Sequence, residues 1–78
     1  MRTAPIHVAG RSLELRAAQF GVELTWIFAI FENGRKLADI AELSSETAAD
    51  MEATGYTADA VQHLMDVLCS GIEARSSN

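Results

Sequence analysis

Cysteine, proline and positive charge are the scarce commodities of this chain, which has one Cys, one Pro and six basic residues among 78. A lone Cys69 excludes an intrachain disulfide framework, and no cluster of metal-ligand residues is present in its place. A chain this short buries only about 60% of its unfolded surface, so a single copy is marginal and oligomerisation is the remaining common staple. The six basic residues face eleven acidic ones, for a net charge of −5. They are scattered as Arg2, Arg11, Arg16, Arg35, Lys36 and Arg75, whereas a phosphate-binding surface needs a positive patch. Nucleic acid is therefore not an expected partner. No apolar run approaches the roughly 20 residues that span a bilayer, and Met1 to His7 lacks the continuous apolar core of a signal peptide. The expectation is a cytoplasmic protein with no membrane partner. Gly10, Gly21, Gly34, Gly55 and Gly71 are too dispersed for a phosphate-cradling loop, and no cofactor is expected.

What the chain does have is an apolar stretch from Thr25 to Phe31 that holds its only Trp and two of its three Phe. From Val22 onward the spacing reads as helical. Leu24, Ile27, Phe31, Ala38 and Ala41 form one stripe, and Trp26, Ile30, Leu37 and Ile40 form another. Asn33-Gly34 is a strong turn signal in the middle, yet the apolar phase carries across it through Ile27, Ile30, Gly34, Leu37 and Ala41. That continuity favours one helix over 21–54, bent at Gly34, over two helices with a break. Gly55 then caps it, and Thr57 with Asp59 opens a second helix over 57–74. Val61, Leu64, Met65, Leu68 and Ile72 make its single apolar face.

Residues 1–20 read as an N-terminal arm. Ile6 and Val8, then Leu13 and Leu15, alternate with polar or small neighbours around Ala9-Gly10-Arg11-Ser12, the pattern of a β-hairpin with a four-residue loop or of an extended arm. The competing form is a short helix capped by Ser12. The expected fold is thus mainly α: one domain over 1–78, an antiparallel helical hairpin with an extended arm or β-hairpin, and a tail over 75–78. Two copies would dimerise into a four-helix arrangement.

Candidate sites are few. Asp39, Glu42, Glu46 and Asp50 would stack on one stripe of the long helix, as a solvated face or a surface for a basic partner. No Glu-x-x-His pair accompanies them, so a di-metal site is not expected. Asp59, His63 and Asp66 would share the outer side of the second helix, where an exposed ion pair is worth only about 0.3–0.5 kcal/mol. Cys69 flanks the apolar face with nothing to lower its pKa, and His7 has no evident partner. No catalytic constellation emerges, and an enzyme is not expected. Size and acidity also suit an acyl carrier protein, but the Asp-Ser-Leu attachment motif is missing: Ser44-Ser45 lies between Leu43 and Glu46, within the expected helix.

The run Gly21-Val22-Glu23-Leu24 leads into an Ala/Leu-rich helix, a polar loop and a second helix. It resembles short helical-hairpin proteins of unknown function from pseudomonads and their phages, and is similar to small antiactivators that bind quorum-sensing transcription factors. The resemblance covers Phe20 to Ala74 and carries over no functional residue. It implies a small regulatory protein that binds and inhibits or modulates another protein, with a bacterial transcriptional activator as the expected target. The alternative is a structural homodimer or assembly subunit whose apolar surface serves self-association only. The expected protein-binding residues are Trp26, Phe28, Ile30, Phe31 and Leu37, because aromatic anchors dominate interfaces. Leu24, Ile27 and Phe31 are expected to meet the second helix, which leaves Trp26 and Ile30 for a partner.

Overall fold

The computed structural model describes residues 1–76 and contains four strands followed by two helices. Strands β1 (Arg2–Val8), β2 (Arg11–Phe20), β3 (Thr25–Glu32) and β4 (Arg35–Leu43) form an antiparallel sheet in the order β1-β2-β3-β4. Helices α1 (Ser45–Ala53) and α2 (Ala60–Ser76) follow. The mainly α hairpin is thereby overturned, and with it the helical-hairpin, four-helix arrangement. The span 21–54 is not one helix but a loop, two strands and α1. The second helix is present, beginning at Ala60 and running to Ser76, so Arg75 and Ser76 of the expected tail are helical while 77–78 lie outside the described residues.

Each connection has a local cause. Asn33 (φ 52°) and Gly34 (φ 78°) are both left-handed and join Glu32 to its cross-strand neighbour Arg35, the backbone of a type I′ hairpin turn. Ala9 (φ 48°) and Gly10 (φ 75°) make the same kind of turn between Val8 and Arg11. The N-terminal hairpin therefore closes over two residues and not four. Arg11 and Glu32 clasp each other at 2.6 and 2.9 Å, tying these two turns together at one end of the sheet. At the other end the β2–β3 loop spans residues 21–24, and the Glu23 carbonyl accepts from the Ser45 hydroxyl at 2.9 Å, which fastens α1 to it.

The Ser44 hydroxyl caps α1 by accepting from the Thr47 amide at 3.1 Å, so Ser44 precedes the helix and is not inside one. Helix α1 stops where Gly55 turns left-handed: the Tyr56 amide donates to the Met51 carbonyl and the Gly55 amide to Glu52, a Schellman ending. Asp59, not Thr57, caps α2, its carboxylate accepting from the Gln62 amide at 3.2 Å.

One face of the sheet is the core. Ile6 from β1, Leu15 and Ala17 from β2, Phe28 and Ile30 from β3, and Leu43 from β4 are buried there with Ala48 of α1 and Ala60, Val61 and Met65 of α2. Ala4, Val8, Leu13, Trp26 and Ala41 pack around them, as do Leu64, Leu68, Cys69 and Ile72 of α2. Helix α2 lies over β1 and β2, and α1 packs against α2. No polar or charged residue is buried among the described ones.

Strand β4 departs from regular pairing twice. Phe28 pairs with Ala41 but Ala29 with Asp39, and Ile30 pairs with Ala38 but Phe31 with Lys36. Ile40 and Leu37 are thus the extra residues of two β-bulges. Both are exposed, at 37% and 48%.

Candidate functional site

Because both helices pack on the same side, no element among the described residues covers the other face of the sheet. Its residues follow from the strand register. Glu14, Phe31 and Lys36 lie level in one row across β2, β3 and β4; Arg16, Ala29 and Asp39 form the next; Ala18, Ile27 and Glu42 the third. Phe20 ends the β2 side, paired with Thr25. Together with Met1, most of these residues line a shallow hollow of about 340 Å³. The floor is the β3 column Ile27, Ala29 and Phe31, and the walls are the flanking columns of β2 and β4.

The floor is held in place by its walls. The Arg16 guanidinium carbon lies 4.0 Å from the centre of the Phe31 ring, a cation–π contact, and the same guanidinium is paired with Glu14. Across the hollow, Lys36 reaches Asp39 at 3.2 Å. Ala29 is only 5% exposed although it belongs to no part of the helix-covered core, because its neighbours close over it. The apolar surface continues through Phe20 into the β2–β3 loop, where Val22 and Leu24 are fully and half exposed. Leu24 is held at φ 55°, a conformation a bulky side chain rarely adopts.

The structure redistributes the residues singled out in the sequence. Phe28 and Ile30 are core residues, at 0% and 7% exposure. Trp26 packs against the same core, with the Arg2 guanidinium 5.7 Å from its ring. Phe31 lies on the open face and Leu37 on β4, at the sheet edge. The expected faces are therefore reversed: the helices cover Trp26, Phe28 and Ile30, while Ile27 and Phe31 point away from them. The reason is periodicity. In a strand, residues two apart share a face, so alternate members of one apolar run go to opposite sides.

The carboxylate stripe is also dispersed. Asp39 and Glu42 belong to β4 and line the hollow, while Glu46 and Asp50 lie on α1. Asp59 caps α2 and pairs with Arg2 at 2.7 Å; His63 meets the Tyr56 ring edge-on at 5.2 Å; Asp66 accepts from Gln62 at 2.9 Å. These are separate local interactions and not a cluster. Among the described residues no group of three or more His, Cys, Asp or Glu is placed to hold a metal. Cys69 is half-buried, and burial, with Glu73 and Asp66 nearby, pushes its thiol pKa up. The His7 backbone amide donates to Glu73 at 3.2 Å.

Arg16, Ala18, Phe20 and Ile27 share a face only when β3 is a strand, so helical spacing does not bring them together as a site. A signal for them did exist: Ile27, Ala29 and Phe31 are as apolar as Trp26, Phe28 and Ile30, and a strand apolar on both faces must cover both.

No helix among the described residues is long and apolar enough to cross a membrane. Compared with known proteins, the chain matches no family model, no curated protein and no solved structure.

Proposed function

We propose that the chain is a small non-enzymatic binding protein that acts by burying the open face of its sheet against another protein surface. One observation carries this reading: Ile27, Ala29 and Phe31 form an apolar floor on a face that no element of the described chain covers. Antiparallel sheets commonly leave one face to solvent, but then that face is polar. Here the polar residues stand at the walls and the centre is apolar, the layout of a protein interface with a hydrophobic middle and a charged rim. The reading keeps the regulatory character expected from the sequence, retains Phe31 from the expected binding residues, and puts Ile27 beside it in place of Trp26, Phe28 and Ile30. A reducing cytoplasmic setting suits the lone thiol of Cys69.

The test is photocrosslinking in the native cell with a benzophenone amino acid at position 31, and at position 67 as a control. Val67 is exposed on α2. The expected result is a discrete protein adduct from position 31 that position 67 does not give. Equal adducts from both positions, or none from position 31, would overturn the reading.

A further inference from the structure

We infer that the surface received by the open face is the same face of a second copy, the two sheets stacking about a twofold axis that runs parallel to β3. This rests on the reading that the open face is a binding surface, and it names the partner. The observation behind it is the order of charges in the rows. Glu14 on β2 is level with Lys36 on β4, and one row along Arg16 on β2 is level with Asp39 on β4. In these two rows the sign changes from one row to the next on both β2 and β4, and the two ends of each row are opposite; in the third row Glu42 stands across from neutral Ala18.

A twofold axis along β3 keeps every row at its own level while setting β2 of one copy over β4 of the other. Glu14 then meets the partner's Lys36, and Arg16 meets the partner's Asp39. Each contact occurs twice, so four opposite-charge pairs surround a centre where the Ile27, Ala29 and Phe31 columns lie on one another. A self-complementary patch is what an isologous dimer requires. Turning the axis across the strands and centring it on Ala29 would set β2 on β2, with Arg16 against the partner's Arg16 and Asp39 against the partner's Asp39. The charge order excludes the Ala29-centred axis. A cross axis midway between the two rows would pair Glu14 with the partner's Arg16 and Lys36 with the partner's Asp39, and only the axis along β3 lets an Arg16 variant and an Asp39 variant complement each other.

The geometry tolerates the twist of real sheets. Stacked sheets lie about 10 Å apart and cross at about 30°. The flanking strands are one strand spacing, about 4.8 Å, from the axis. Rotation therefore displaces the rows by only about 2–3 Å at the walls, within the reach of Arg, Lys and Glu side chains. With the axis along β3, strands β2 to β4 of the two copies overlap and β1 of each lies beyond the contact. Three strands of about eight residues present roughly 380 Å² from strand spacing and rise, so two faces bury roughly 760 Å², the size of a weak, reversible pair.

The experiment measures mass by light scattering for wild type, Arg16→Glu, Asp39→Lys, Phe31→Glu and a mixture of the first two variants. Circular dichroism confirms that each remains folded. Wild type is expected to double the chain mass at micromolar concentration. Arg16→Glu and Asp39→Lys should each weaken self-association at least tenfold, since either change sets like charges together at two symmetric sites. Mixed in equal amounts they should form a heterodimer of wild-type strength, because the two altered side chains then meet each other with opposite charge while the symmetry-related contact stays wild type. A wild-type monomer at high micromolar concentration overturns the inference, as does a dimer whose two charge variants fail to complement. A monomer that still gives a position-31 adduct with a different protein sinks the second-copy assignment alone. A dimer indifferent to Phe31→Glu sinks the open-face reading with it.

Discussion

Arg2 and Asp59 are 57 residues apart in the chain and 2.7 Å apart in the fold. The first opens the outermost strand; the second caps the last helix. Their pairing fixes the helix layer to the sheet at the corner where the Trp26 ring lies, and the same guanidinium rests on that ring. Asp59 is held below the ordinary carboxylate range, first by the hydrogen bond from Arg2 and then by the Gln62 amide. Glu32 is lowered in the same way by its hydrogen bond from Arg11.

Those two depressions predict an acid-side loss of stability. A carboxyl whose folded pKa lies below its unfolded value stabilises the fold fully above the unfolded value, and the contribution disappears as pH falls through the folded one. Thermal melts of wild type and Asp59→Asn should differ by a constant amount at neutral pH. The gap should close as pH drops below the carboxylate range. A gap that stays constant into acid would mean the pairing is not ionic.

The Asn33-Gly34 turn predicts the cost of adding a side chain there. Nothing lies near a Cβ at Gly34, so only the left-handed backbone opposes one. Gly34→Ala should destabilise the protein by about 1 kcal/mol, read as a shift in the urea midpoint. Were Gly34 helical, the same change would be neutral or stabilising.

Ala9 predicts the opposite sign. It is an alanine in a turn that favours Asn or Gly at both central positions. Ala9→Asn should stabilise by about 0.5–1 kcal/mol, with the midpoint rising at unchanged denaturant slope.

Phe28 and Phe31 are three residues apart and should respond differently. Phe28→Ala empties a fully buried site, at a cost of about 3–5 kcal/mol, enough to unfold much of a domain this small. Phe31→Ala forfeits chiefly the contact with Arg16, about 1 kcal/mol, and should leave the melt of the separated chain nearly in place. The comparison is best made at high dilution, where association does not contribute.

The contrast between these two phenylalanines explains how much of the fold could be read beforehand. The second helix was legible because its face, Val61 to Ile72, is apolar on one side only, and the N-terminal alternation of Ile6 and Val8 with Leu13 and Leu15 was legible for the corresponding reason. Thr25 to Phe31 was not, since a run apolar on both sides has no period to measure. Its content of Thr, Trp, Ile and Phe favoured strand, and Asn33-Gly34 was the hairpin signal. Strand β4 concealed the answer further. Each bulge lengthens one same-face step from two residues to three, so Lys36, Asp39 and Glu42 share a face at helical spacing while extended. The good helix formers Arg35 to Leu43 completed the disguise, and pairing with β3 overrode their propensity. The hollow could not be foreseen without the sheet, because its walls come from strands on either side of β3.

The two outer strands set a limit on how copies of this chain can accumulate. Pro5 has no amide to offer along β1, and the displaced residues Leu37 and Ile40 break the even ladder that an incoming strand would need along β4. Growth by adding strand to strand, the route to fibres, is hindered at both margins. Raising the concentration should therefore leave a solution that stays clear where a flat-edged sheet of the same composition would gel.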